Sequence, residues 1–321
     1  MDRGTALVLG ATGGIGGETA RALAARGWRV RAMSRAPART GTPGKGATGE
    51  VEWVRGDAMV AAEVAAAARG ASLVVHAVNP PGYRDWDRLV LPMLDNTVAA
   101  ARAAGARIVL PGTVYNFGPG AFAELHEEAA QEPVTVKGRI RVEMERRLAA
   151  AAAEGVPVLI VRAGDYFGPR SGNNWFAQGL VKPGRRPRVV RNPGRPGVGH
   201  QWAYLPDVAE TMLRLLARPD LPRFARYHMD GHWDPDGRRM TETIARLLGD
   251  PRPAIRPLPW WALRLASPVV PTLREMLEMR YLWERPVRMR NDRLVATLGE
   301  EPRTPLDVAV RSTLVGLGCL A

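Results

Sequence analysis

The feature that most constrains this chain is a glycine-rich turn that joins an apolar strand to a helix within its first sixteen residues. An apolar run at residues 7–9 is followed by glycines at three-residue spacing, namely Gly10, Gly13 and Gly16. In such a turn the first glycine lets the chain leave the strand sharply, the second leaves no Cβ beside a pyrophosphate, and the third allows close helix packing. The free N–H groups of the helix N-terminus attract phosphate. The segment therefore predicts a dinucleotide-binding turn.

The turn is part of a predicted strand–helix–strand unit. Residues 5–9 and 28–33 predict strands, and residues 18–26 predict the helix between them, closed by Gly27. The alternation continues with strands predicted at 51–54, 72–78, 107–110 and 157–162 and Ala-rich helices at 58–69, 86–104 and 137–154. Alternating strands and helices are typical of a parallel sheet covered on both faces. We therefore predict an α/β fold, with a Rossmann-type doubly wound parallel sheet and a smaller C-terminal substrate-binding region.

The pattern changes after residue 165, where Pro and Gly become frequent. We predict that residues 1–170 form a dinucleotide-binding Rossmann domain and that residues 171–321 form mainly a substrate-binding cap. Within the cap, the sequence predicts a helix at 206–217 and a further sheet strand near 198–205.

Composition narrows the class of protein. The chain has 321 residues and a formal net charge of +13, but 42 of its 45 basic residues are Arg, which indicates a compositional bias. The one dense basic segment, residues 182–191, has three interpretations: a solvated loop, a surface for an anionic substrate, or a surface for a polyanion. We favour the loop and expect no specific nucleic-acid partner.

Cysteine usage and hydropathy indicate the compartment. Cys319 is the only cysteine, so there is no pair for a disulfide and no cysteine cluster for a metal, which suits a reducing cytoplasm. The first strand begins almost at once and no apolar run is long enough to cross a membrane, so we expect neither a signal peptide nor a membrane partner. We predict a cytoplasmic monomer or homodimer that binds a small-molecule substrate and no metal.

The end of the second predicted strand distinguishes two nicotinamide cofactors. NAD sites usually place an acidic residue there to bind the ribose 2′-hydroxyl. No acidic residue occurs at 19–49, and the position holds Ser34 and Arg35, with Arg31 and Arg39 nearby. A guanidinium group pairs well with a 2′-phosphate. We therefore predict NADP(H) as the preferred cofactor, with NAD(H) as the alternative.

Other predicted cofactor residues follow the ends of the predicted strands, where ligands bind in open α/β sheets. His76 precedes one of these segments and is predicted to be a core histidine. Besides the residues already named, the predicted cofactor-binding residues are Thr12, Gly14, Ile15, Asp57, Ala58, Ala77, Val78, Asn79, Ala163 and Gly164.

Several segments, taken in order, resemble the extended short-chain dehydrogenase/reductase family, also called the NAD(P)-dependent epimerase/dehydratase family. The resemblance covers about residues 5–210. It implies a Rossmann domain, a nicotinamide cofactor and a substrate bound between that domain and a variable C-terminal region. The segments are the glycine turn, Gly56-Asp57 and residues 75–78, 114–115, 162–169 and 202–209.

The family's chemistry uses a Ser or Thr after the fifth strand and a Tyr four residues before a Lys. Here Pro111 stands at the usual hydroxyl position, with Thr113 two residues on. Lys137 is the candidate for the Lys, but a proline stands four residues before it and no Tyr occurs at 116–137. We predict that Lys137 binds the nicotinamide ribose and handles the proton, with Thr113 and Tyr115 as further catalytic candidates. The alternative is that Lys137 bends into solvent.

The candidate substrate residues lie further along the chain. They are Asp165, Tyr166, His200 and Trp202.

Three functions are consistent with the sequence. The first is an NADP(H)-dependent oxidoreductase with a non-standard catalytic centre, acting on a small carbonyl, hydroxyl or conjugated substrate. The others are a sugar-nucleotide epimerase or dehydratase, and a non-catalytic NADP(H) redox sensor.

Overall fold

The centre of the molecule is a seven-stranded parallel sheet. The computed structural model describes residues 4–37, 51–80, 85–170 and 174–320. The sheet order is β11-β7-β5-β4-β1-β2-β3, which contains the 3-2-1-4-5 order of doubly wound folds and confirms the predicted fold class. Its strands are β1 (Thr5–Leu9), β2 (Arg29–Ser34), β3 (Val51–Arg55), β4 (Ala71–His76), β5 (Arg107–Thr113), β7 (Val158–Ala163) and β11 (Phe224–His228).

Helices bury both faces of this sheet. On one face lie α2 (Ala61–Ala68), α3 (Trp86–Ala104) and α4 (Val136–Ala153), and on the other α1 (Gly14–Ala25), α5 (Leu205–Leu216) and α9 (Asp292–Leu298). Successive residues of β1 alternate between the two faces, since Leu7 packs in the first core and Val8 in the second. Burial on both faces explains why the strands are continuous apolar runs.

In the described part of the chain, the strands outside the main sheet form three small sheets, and four more α-helices follow Asp234. The sheets are formed by β8 (Asp165–Phe167), β10 (His200–Tyr204) and β12 (His232–Asp234), by β9 (Val189–Asn192) and β13 (Ala254–Pro257), and by β6 (Glu124–Leu125) and β14 (Arg288–Met289). The helices are α6 (Arg239–Leu248), α7 (Trp260–Ala266), α8 (Pro271–Glu278) and α10 (Leu306–Gly316). Phe167, Phe176, Trp202 and Trp283 form part of a separate core under these elements.

The predicted strand near 198–205 is present as β10, but it does not extend the main sheet. It pairs with β8 and β12 in the three-stranded sheet. The seventh strand of the main sheet is β11, which the sequence analysis did not predict. β11 has five residues, and its sequence FARYH places Arg226 and His228 among the apolar residues, so its apolar signal is weak. Among the described helices, none combines the length and apolar character needed to cross a membrane.

Candidate cofactor and substrate cleft

A cleft of about 720 Å³ runs along the carboxyl ends of the central strands. It is where ligands bind in open α/β sheets. The structure brings most of the predicted site residues together on its walls. They are Gly10, Thr12, Gly13, Gly14, Ile15, Ser34, Arg35, Asp57, Ala58, Ala77, Val78, Asn79, Thr113, Tyr115, Ala163, Gly164, Asp165 and Tyr166.

The glycine turn has a backbone that fits a dinucleotide. Gly10 has a φ of +86°, and a Cβ there would lie 2.4 Å from the carbonyl oxygen of Ala77. A Cβ at Gly16 would lie 2.3 Å from the carbonyl oxygen of Gly10, so Gly16 packs the helix against the turn and does not line the cleft. At Gly13, by contrast, a Cβ would contact the described residues only at the Gly10 carbonyl oxygen, at 3.3 Å. The space beside Gly13 therefore belongs to the cleft.

The N-terminus of α1 also fits a phosphate group. Gly13 is its N-cap residue and supplies no side-chain hydrogen bond to the first turn. The first N–H groups of a helix have no partner within the helix, and their partial positive charge attracts phosphate. Glycine turn and helix N-terminus together provide the cradle that a pyrophosphate needs.

At the end of β2, Ser34 and the exposed Arg35 line the cleft. Arg31 does not contribute to this site. Its guanidinium group donates to the carbonyl oxygens of Ala67, at 3.1 Å, and Arg69, at 2.6 Å. Arg39 lies outside the described residues. Of Arg31, Arg35 and Arg39, Arg35 is therefore the residue that the structure shows on the cleft wall.

Lys137 is not among the residues that line this cleft, but it borders a small adjoining cavity together with Tyr115, Asn174 and Trp175, which also line the cleft. Its side chain is only 3% exposed and forms ion pairs with the carboxylates of Glu275 and Glu278 on α8, the latter at 3.1 Å. Glu278 also accepts the N–H of Val136, at 2.7 Å, at the start of α4. The solvated alternative for Lys137 is therefore wrong. A buried ammonium group needs charged partners, and here they come from a helix far along the chain.

One helical turn later, Arg141 lines the cleft instead. Its guanidinium group donates to Oδ1 of Asn79 at 3.1 Å and lies over the ring of Trp86, 5.1 Å from the centroid. The side chain is buried. Sequence reasoning missed Arg141, although residues four apart lie on the same face of a helix and the spacing from Lys137 was a usable signal.

The inner end of the cleft is polar and aromatic. Thr113 Oγ1 accepts the N–H of Tyr115 at 3.3 Å. The Tyr166 hydroxyl donates to the carbonyl oxygen of Gly112 at 2.7 Å, and burial raises the pKa of Tyr166 well above its ordinary value. Asn174 and Trp175 complete the wall. Tyr166 therefore keeps its proton and acts as a fixed part of the wall.

His200 and Trp202 do not line the cleft. Trp202 is a core residue, packed against Phe167 and Phe176. His200 lies behind Asp165, with its Nε2 atom 2.9 Å from the Asp165 Oδ2 atom. His76 is buried, as predicted, with its Nδ1 atom 2.8 Å from Thr97 Oγ1. Burial and the charge of Arg141 lower the pKa of His76 to about 3, so it is neutral.

A family profile described as NAD(P)H-binding matches residues 10–175, more than half of the chain. The chain belongs to the NAD(P)H-binding family. The matched range contains the glycine turn, Arg35, Arg141 and the inner end of the cleft up to Trp175. No protein in the curated set matches the chain.

Solved structures resemble the NAD(P)H-binding chain over nearly its whole length. MoeE5 in complex with UDP-glucuronic acid and NAD has a TM-score of 0.74 at 19% identity, covering 98% of each chain. UDP-glucose 4-epimerase from Bifidobacterium longum, in complex with NAD+ and UDP, has a TM-score of 0.73 at 15% identity and covers 98% of this chain and 97% of its own. A putative epimerase from Burkholderia cenocepacia J2315 has a TM-score of 0.74 at 19% identity, covering 99% of each chain. The resemblance to the extended short-chain dehydrogenases is thereby confirmed for the fold.

Proposed function

We propose that the protein is an NADP(H)-dependent oxidoreductase that acts on a small carbonyl, hydroxyl or conjugated substrate. The observation that carries this proposal is the extent of the cleft. It continues from the glycine turn past residues 77–79 to the polar and aromatic inner end at Tyr115, Asp165 and Trp175. A dinucleotide on the glycine turn leaves that inner end for a substrate. Concave sites with a few convergent polar groups are typical of small-molecule binding.

Different residues of the cleft would bind different parts of the cofactor. The N–H groups of residues 13–15 would bind the pyrophosphate, and Ser34 and Arg35 the 2′-phosphate. Asp57 would lie at the adenine, and Arg141 with Asn79 at the nicotinamide ribose. Bound there, the nicotinamide supplies hydride transfer. Arg141 thus takes the binding role that the sequence analysis gave to Lys137.

Arg35→Asp is expected to reverse or erase a preference for NADPH over NADH. The substitution removes a charged hydrogen bond to the 2′-phosphate and places a carboxylate there, so NADPH affinity should fall roughly 10- to 100-fold. NADH affinity should change little. Cofactor fluorescence titrations measure both, with Arg252→Asp, an exposed residue far along the chain, as the control. Equal affinity of the unmodified protein for both cofactors would contradict the assignment.

Lys137→Met is expected mainly to lower the stability of the protein, and Arg141→Met mainly to lower its affinity for the cofactor. Lys137→Met leaves Glu275 and Glu278 without their ammonium partner, so it should lower the free energy of unfolding by about 1–3 kcal/mol. Cofactor affinity should not change. Arg141→Met should weaken cofactor binding with a smaller loss of stability. Chemical unfolding and cofactor titration of both variants check this, and loss of affinity in Lys137→Met alone would return Lys137 to the cofactor site.

A sugar-nucleotide epimerase or dehydratase is the second candidate. It is supported by the solved structures with UDP-sugars or UDP and NAD, whose likeness extends over the C-terminal region that would bind the substrate. Incubation of the protein with NAD+ or NADP+ and UDP-sugars, followed by product analysis, distinguishes the two. Cofactor binding without turnover of any substrate would favour the redox sensor. A cytoplasmic location, a monomeric or homodimeric state and the absence of nucleic-acid and membrane partners stay predictions.

A further inference from the structure

Asp165 and His200 form a buried pair at the inner end of the cleft. Asp165 is the first residue of β8, lines the cleft and is 6% exposed, while His200 is 7% exposed. The Asp165 Oδ2 and His200 Nε2 atoms are 2.9 Å apart. The two residues meet because β8 and β10 pair in parallel, with Asp165 opposite Trp202.

The ring of His200 is held in place by aromatic neighbours. It stacks on Trp283, with 3.7 Å between ring centroids and an interplanar angle of 8°. The edge of Trp202 packs against it at 5.0 Å. Because the ring is fixed between these side chains, its Nε2 atom stays directed at the carboxylate. Such preorganisation is what a positioned acid–base group needs.

Four other ionisable side chains in this part of the protein are held in other interactions. Tyr166 donates to Gly112, and Tyr281 donates to the carbonyl oxygen of Phe117 at 3.2 Å. Burial, followed by the charge of Asp165, raises the pKa of Tyr281. Arg141 cannot lose its proton, and Lys137 is held by its two glutamates. On the far side, His200 borders a cavity of about 10 Å³ that Asp234 also lines.

We propose that Asp165 and His200 are the acid–base pair of this site, in place of the absent tyrosine. The proposal rests on the proposed oxidoreductase function. When a substrate alcohol is oxidised, its O–H bond breaks and the proton moves to the Asp165 carboxylate. The electron pair left on oxygen would form the C=O bond, and a nicotinamide bound in the cleft would accept the carbon's hydrogen, with its electron pair, as hydride. Reduction is the reverse. Asp165 is the catalytic residue, and His200 is a positioning residue that donates its Nε2–H to the carboxylate and shares the proton.

The first test counts protons and needs no substrate. The oxidised nicotinamide ring is cationic and the reduced ring is neutral, so NADP+ beside the pair favours its deprotonated form. Titration calorimetry of the full chain in two buffers of different ionisation enthalpy should show that NADP+ binding releases more protons than NADPH binding. Asp165→Asn should abolish that difference, and Asp220→Asn, an exposed control, should keep it.

The second test uses turnover on a panel of small ketones with NADPH and of the matching alcohols with NADP+. Asp165→Asn should lower kcat by about 10²- to 10⁴-fold with NADPH affinity unchanged. His200→Gln, which keeps a donor near Nε2, should lower kcat less and change the pH profile of kcat/KM.

The outcomes separate this inference from the proposed function. If neither cofactor binds, the proposed function fails. If both bind and Asp165→Asn keeps the proton difference and full turnover, the pair is not the acid–base group and the inference is overturned. Should Asp165→Asn fail to fold, His200→Gln decides: an unaltered pH profile and proton count contradict the proposal.

Discussion

Gly13→Val is expected to abolish cofactor binding while leaving the fold intact. The backbone at Gly13 is extended, with φ −87° and ψ 172°, a conformation that valine adopts readily. The new side chain would enter the cleft, since in the described residues its Cβ meets only the Gly10 carbonyl oxygen, at 3.3 Å. Exchanging glycine for a β-branched residue at an N-cap costs only about 1 kcal/mol. The valine side chain would, however, occupy the space that the pyrophosphate of the cofactor needs.

Cofactor-induced thermal stabilisation measures this effect. A ligand present at one hundred times its Kd stabilises the folded state by about 2.7 kcal/mol, and Gly13→Val should lose that stabilisation. Two further glycine variants serve as controls for the effect on protein stability. Gly16→Val should destabilise the protein itself, because its Cβ would lie 2.3 Å from the Gly10 carbonyl oxygen. Gly120→Ala should be neutral, because no described atom lies within 4 Å of its Cβ. Retained binding in Gly13→Val would refute the placement of the cofactor.

The sequence was sufficient to predict the main elements of the fold because their signals are local. Helix α3 ends at Ala104 and is capped by Gly105, which has a φ of 65°. A glycine at this place marks the helix end in the sequence and adopts the left-handed conformation that the cap requires. The cofactor wall is predictable for a related reason. Since parallel strands end at one edge of a sheet, residues that follow different strands, such as Gly10 and Ala77, meet there.

The contacts that the sequence did not predict are those that join segments far apart in the chain. Lys137 was expected at the cofactor, but its partners Glu275 and Glu278 come from a helix that no local pattern connects to α4. Asp165 and His200 were both predicted as substrate residues, yet their pairing depends on the adjacency of β8 and β10. Such pairings are set by tertiary packing, which residue spacing does not encode.

A buried ion pair behind the cleft wall carries the largest expected effect on stability. Arg162 on β7 is fully buried, and its Nε atom donates to Glu145 Oε1 on α4 at 2.9 Å. Its Nη1 atom is 2.9 Å from His228 Nε2 on β11. Because arginine only donates, His228 Nε2 must accept, so the ring proton is on Nδ1, 3.2 Å from the Leu125 carbonyl oxygen. Burial and the charge of Arg162 lower the pKa of His228 to about 3, which keeps it neutral.

Arg162→Met is therefore expected to destabilise the protein by about 3–5 kcal/mol, because it leaves the Glu145 carboxylate buried without its main partner. Arg226, 3.7 Å from Glu145, compensates in part, which favours the lower end of that range. Arg146→Met is the matched control: it breaks the ion pair of an exposed arginine with the half-buried Glu143 on the same helix and should cost at most about 1 kcal/mol. Denaturant unfolding of both variants checks the difference, and equal losses would contradict it. Since Arg162 immediately precedes Ala163, Gly164 and Asp165, the same substitution should also loosen the wall that positions the acid–base pair, lowering cofactor affinity in the fraction that stays folded.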